Sequence, residues 1–103
     1  MVFLLSLKVH KTRREIIVAA CDIELLGQKF SEGEKRFEVY KSFYGDTAID
    51  EGELGAYLQM ATIINLVGER AVEKAIQLGY VDPEKVLRIG AAVHAQAATI
   101  QKQ

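Results

Sequence analysis

Two histidines, one asparagine inside an apolar run and a knot of cations near the start are the residues of this chain whose types and spacing can do chemistry. His94 is the better placed histidine for a general acid or base near neutral pH, because imidazole is the side chain whose ordinary pKa lies there. It shares one side of an alternating run with Gln96, opposite Val93 and Ala95, so the plainer expectation is a side chain at the surface or rim of a sheet. His10 stands among lysines on the polar side of an outer strand. Asn65 lies within Ile63-Ile64-Asn65-Leu66-Val67, and an amide buried there must find partners or destabilise the fold. Read on a helix, Asn65 and Glu69 are one turn apart and face the same way, which makes Asn65, Glu69 and His94 the candidates for a ligand pocket. Backbone groups of the loop from Phe43 to Asp46 would satisfy Asn65 equally well.

Lys8, Lys11, Arg13 and Arg14 put four cations within seven residues. On a hairpin they gather at its tip and outer face, where they can track phosphates, and arginine can also stack on exposed bases. The same charges also suit an edge strand that must avoid pairing with other sheets. Tyr44, in Phe43-Tyr44-Gly45-Asp46, is the ring left open for stacking, with Phe43 expected to anchor the loop. Thirteen Lys and Arg against fourteen Asp and Glu leave a formal net charge of -1, so an RNA or ribonucleoprotein partner must be read by a patch rather than by a global basic field.

Several classes fall away. Cys21 is the single cysteine and no Cys/His spacing of the zinc kind is present, so neither an internal disulfide nor a metal site is expected, and a reduced, cytoplasmic setting follows. Gly68-Glu69-Arg70 belongs to neither a Walker motif nor a dinucleotide fingerprint, so no nucleotide cofactor is expected. The opening Met-Val-Phe-Leu-Leu-Ser-Leu is too short for a membrane span.

The elements that must position these residues follow from periodicity. Phe3, Leu5, Leu7 and Val9 alternate with Ser6, Lys8 and His10, and the β-branched Ile16, Ile17 and Val18 follow a short polar turn, which predicts a hairpin over residues 2–21. Asp22 is expected to cap a helical turn that Gly27 ends, and Phe37 and Val39 to lie on a third strand. Asp50 with Glu53 reads as a capping box, starting a helix near Glu51. Between Tyr57 and Val67 the apolar residues fall on more than one stripe, which predicts a helix covered on two sides, either as the central helix or as part of a homodimer interface. A second helix follows Gly68, and strands follow at Val86 to Ile89 and from Val93 to Ile100, the last rich enough in alanine to leave helix open. The reading is one α+β domain over residues 1–103, a mainly antiparallel sheet with two consecutive helices packed on one face.

Ala61 to Val72, continuing through Ala75-Ile76-Gln77-Leu78-Gly79, resembles the signature of a family of short archaeal proteins known only as a domain of unknown function. Cys21-Asp22, Glu24-Leu25-Leu26-Gly27, Ser42-Phe43-Tyr44-Gly45, Val86-Leu87-Arg88-Ile89-Gly90 and His94-Ala95 match its other landmarks in order. The chain departs at Asp46 and Val93, where members often carry glycine and proline. The resemblance implies a compact archaeal cytoplasmic protein and brings no activity with it. From the residues, the function expected first is a binding module associated with RNA or translation, and second a small-molecule site or small enzyme at Asn65 and His94.

Overall fold

The structure, a computed structural model, describes residues 3–45 and 47–98. Met1, Val2, Asp46, Thr99, Ile100 and the tail Gln101 to Gln103 lie outside them. The alternation of Leu5 and Leu7 with Ser6 and Lys8 builds β1 (Leu4–Lys11), and the β-branched run builds β2 (Ile16–Asp22), paired antiparallel as the hairpin expected. Phe3 precedes β1 and is exposed, with the Arg70 guanidinium 4.8 Å from its ring centre. A 3-10 turn (Ile23–Leu25) leads into a small hairpin of β3 (Lys29–Glu32) and β4 (Lys35–Glu38), of which only the second strand was legible. Lys41–Tyr44 forms a one-turn helix, α1, where a loop was expected. β5 (Thr47–Asp50) follows and runs directly into α2 (Glu51–Met60), whose Asp50 cap accepts from the Glu53 amide at 3.0 Å.

The largest correction concerns the long helix. α2 stops at Met60, and Ile63–Val67 is a strand, β6, in parallel pairing with β2. A central strand with apolar residues on both faces lacks polar alternation, so its side chains read as two stripes of a helix. Thr62 sets the register: its amide donates to the Ile16 carbonyl at 2.8 Å, its Oγ1 accepts from the Ile16 amide at 2.8 Å, and the same hydroxyl donates to Glu15 at 2.7 Å. The segment between Tyr57 and Val67 therefore offers no two-sided helix to a second copy. α3 (Glu69–Gln77), a second 3-10 turn (Pro83–Lys85), β7 (Leu87–Ile89) and β8 (Ala92–Ala98) complete the chain, and the alanine-rich end is a strand.

The main sheet has the order β5-β1-β2-β6-β8-β7, with β2 against β6 its one parallel pair among the described residues. The fold is α+β, and α2 and α3 share one face as expected, although β6 runs between them in the chain. On that face Leu5, Leu7, Val18, Ile64, Leu66 and Val93 pack against Leu54, Leu58 and Val72. On the other, Ala19, Cys21 and Val67 lie under Val39 and Tyr44, with Phe30, Phe37 and Phe43 closing over them.

Asp22 does not cap the turn that follows it. Its carboxylate crosses to α3 and accepts from the amides of Arg70 (3.1 Å) and Ala71 (2.9 Å), satisfying donors that every helix start leaves free. Burial raises its pKa, against the lowering by those two amides and the Arg70 charge. Gly68 stands before α3 at φ 108° and ψ 150°, a conformation only glycine adopts readily, and a Cβ there would lie 2.3 Å from Asp22 Cγ. Arg70 grips Glu24 with two bonds of 2.7 Å and the Leu4 carbonyl at 3.0 Å. The Gly68-Glu69-Arg70 signature thus fastens α3 to β1 and β2 and presents no loop to an anion.

Candidate functional site

The register lines up three rows across the face opposite α2 and α3. Ser6, Cys21, Val67 and His94 form the first; Lys8, Ala19, Asn65 and Gln96 the second; His10, Ile17, Ile63 and Ala98 the third. Cover is graded along them. Cys21 and Val67 are sealed, Asn65 is half-buried with Gln96 exposed beside it, and His10, Ile17 and Ile63 are half-buried with Ala98 exposed. The third row is thus an accessible, largely apolar floor, and the β1–β2 turn carrying Lys11, Arg13 and Arg14 lies beyond it at the same end of the sheet. Those three cations are exposed and make no ion pair among the described residues.

The polar side of β1 holds α1 in place. Ser6 Oγ donates to the Tyr44 carbonyl at 3.0 Å, Lys8 Nζ to that of Ser42 at 3.1 Å, and His10 Nε2 to that of Phe43 at 2.9 Å. These carbonyls are the unsatisfied end of a short helix, which prefers cations and donors, and this explains why the segment coils. The grip directs the aromatics. Phe43 stacks on His10 at 4.7 Å and stands half-buried at the edge of the floor, while Tyr44 turns edge-on to it and is buried. Tyr44 donates its hydroxyl to Asn65 Oδ1, and His94 Nε2 donates to the same oxygen at 3.0 Å. Phe37 packs against the His94 ring, 4.9 Å between centroids.

A family model described as a protein of unknown function, DUF424, matches residues 10–100. The chain belongs to the DUF424 family. Its fold is similar to that of an uncharacterised conserved protein from Methanopyrus kandleri, with a TM-score of 0.83 at 19% identity over 97% of this chain and 95% of that one. A comparison with curated proteins returned no match. The DUF424 match spans every element of the face just described except most of β1.

Burial governs three ionisable groups on this face of the DUF424 chain. It pushes the Cys21 thiol up to about 12, with Asp22 and Glu24 adding to the effect, so the sulfur is a small apolar core group rather than a nucleophile. It raises the Tyr44 phenol, which stays protonated and must donate. It lowers His94, favouring the neutral ring. A group whose folded pKa lies below its unfolded value contributes stability that is present above the unfolded pKa and is lost as pH falls through the folded one. The urea midpoint of the wild type is therefore expected to fall as pH drops below about 6.5, and His94→Gln, which keeps a donor for Asn65, to flatten that fall. An identical pH profile in the variant would exclude the effect.

Of the residues singled out in the sequence, the structure joins Tyr44, Asn65 and His94 and separates Glu69. Glu69 starts α3, exposed, with its carboxylate 3.6 Å from Arg88. Its helical spacing from Asn65 vanished with the helix. Tyr44 and Phe43 exchange the parts expected of them: Tyr44 anchors the core, so it offers no ring for stacking, and Phe43 reaches the surface. Lys8 leaves the tip cluster for α1. His10, Phe43, Ile17, Ile63 and Gln96 complete the open ground, and the signal for them was the alternation Ser6, Lys8, His10, which marks the polar side of β1 without saying what packs on it. No group of three or more His, Cys, Asp and Glu able to hold a metal lies among the described residues. No helix among them is long and apolar enough to cross a membrane.

Proposed function

We propose that this protein is a small archaeal cytoplasmic binding module for single-stranded RNA, an accessory of RNA metabolism or translation. Its contact surface is the third row of the sheet with the hairpin tip beyond it. One observation carries the reading: three cations with no ion pair among the described residues stand at the same end of the sheet as an apolar floor bordered by the His10–Phe43 stack. Cations that follow a backbone beside ring faces that take bases are the two requirements of single-strand binding. The buried, unpaired Cys21 suits a reducing compartment. A small-molecule site at Asn65 and His94 has their mutual bond in its favour. Yet the recesses at Phe30, Arg36, Phe37 and Tyr40 (about 460 Å³) and at Val72, Ile76, Val86 and Arg88 (about 370 Å³) include neither residue. An open platform fits the ground over Asn65 better than a pocket.

The test is fluorescence anisotropy with a labelled 12-nucleotide single-stranded RNA across a salt series. Three neutralised phosphates give a log–log slope of about -2, at roughly 0.7 per contact on single strands. Absence of binding at the lowest salt, or a slope near zero, defeats the proposal.

A further inference from the structure

Asn65 has a fixed orientation. Tyr44 is 3% exposed, so its hydroxyl proton must be donated within the protein, and Asn65 Oδ1 is the acceptor it reaches. The same oxygen takes the His94 Nε2 proton. Two donors on Oδ1 turn the amide nitrogen the other way. Among the described residues no hydrogen bond from Nδ2 is found, and Asn65 is half-buried rather than sealed, on the row between the covered and the open parts of the face. Gln96 stands directly opposite Asn65 across the β6–β8 pair, exposed and free to present either its carbonyl or its amide. The next positions on the same face are Ile63 and Ala98, also opposite each other. A fixed donor, an adaptable amide beside it and an apolar floor next to both are the contacts that a planar ring with acceptors and donors on its edge requires.

We infer that Asn65 and Gln96 form a base-reading pair, which takes one unstacked nucleobase lying over Ile63 and Ala98 while the tip cations hold its flanking phosphates. The inference rests on the proposed RNA-binding function and adds to it: the tip supplies affinity for any phosphate chain, and the amide pair demands a base. Asn65 gives a hydrogen to a ring nitrogen or carbonyl oxygen, and Gln96 accepts from a neighbouring N–H. Apolar contact between base and floor makes the site tolerant of base identity, and the fixed donor makes it intolerant of a missing edge.

Two oligomers of equal charge separate these contributions, a 12-nucleotide oligouridylate and an abasic 12-mer with the same sugar–phosphate chain. Asn65→Asp keeps an acceptor for Tyr44 and His94 while replacing the outward donor by an oxygen, and Gln96→Ala removes an exposed side chain whose loss leaves the fold intact. The wild type is expected to prefer oligouridylate, and each variant to lose about tenfold on it, with at most twofold change on the abasic chain. A urea midpoint for each variant confirms that it is folded, and Gln96→Ala alone suffices if Asn65→Asp is not. Variants that bind oligouridylate like the wild type overturn the amide pair. A wild type that binds both oligomers equally also overturns it while leaving the phosphate-tracking tip intact. A wild type that binds neither removes the RNA-binding reading as a whole.

Discussion

Gly68→Ala lowers the stability of the protein by about 3 kcal/mol or more, a large part of the margin of an ordinary domain. Two costs combine. The backbone at φ 108° and ψ 150° strains any residue with a Cβ, and that Cβ would sit 2.3 Å from Asp22 Cγ, closer than atoms can approach. Asp22 cannot swing aside, since its oxygens hold the Arg70 and Ala71 amides and the residue is 4% exposed. The measurement is urea unfolding, with a lower midpoint at unchanged slope. Asp22→Ala by itself costs about 2 kcal/mol, through two buried amides left without a partner at the start of α3. In the double variant the alanine methyl has room, so the combined loss is expected to fall short of the sum. Strict additivity, or a loss below about 1 kcal/mol for Gly68→Ala, would show that the contact is not close.

The second large effect is on binding. Lys11→Ala, Arg13→Ala and Arg14→Ala together are expected to weaken the 12-nucleotide RNA on the order of 100-fold at low salt and to flatten the salt slope by about 2. All three side chains are exposed and bear no ion pair among the described residues, so their removal shifts stability by no more than about 0.5 kcal/mol. Lys8→Ala is the internal contrast. Its Nζ already serves the Ser42 carbonyl, so its loss loosens α1 and has the smaller effect on the salt slope. An unchanged slope in the triple variant would move the RNA contact away from the tip.

The hairpin, the Asp50 cap and the last strand were legible because each is a local pattern: alternation in β1, an acceptor three residues before a free amide, alternation again in β8. β6 was not, because a central strand with apolar residues on both faces loses most of the polar residues that mark its period. Its clues were the β-branched Ile63, Ile64 and Val67 and the threonine that ends the helical run. β3 was hidden because Ser31-Glu32-Gly33-Glu34 has the composition of a turn, while the strand itself is held by Phe30 and by the Glu32 bond to the Gly90 amide. At the site, alternation placed His94 and Gln96 on one strand, yet no pattern in either segment tells that Tyr44 and His94 would share one oxygen of Asn65. That meeting is made by β6 standing between β2 and β8, a long-range fact. The exchange of Phe43 and Tyr44 has the same origin, for the direction of each ring is set by three side chains of β1 that lie 33 to 38 residues earlier in the chain.

The parallel pairing of β2 with β6 has a consequence in time. Ile17 meets Ile63, so the β1–β2 hairpin leaves the ribosome well before the strand that covers its inner edge has been made. At translation rates of roughly 5–20 residues per second, the hairpin waits on the order of seconds with the edge of β2 unpaired. Closing so long a loop is also slow for a chain already complete. During that interval a nascent β2, apolar from Ile16 to Cys21, is a template for the same strand on a neighbouring chain. Arg13 and Arg14 stand just ahead of it, separated from Ile16 only by Glu15, where like charges on two emerging chains repel each other, so the cationic tip also guards the unfinished chain.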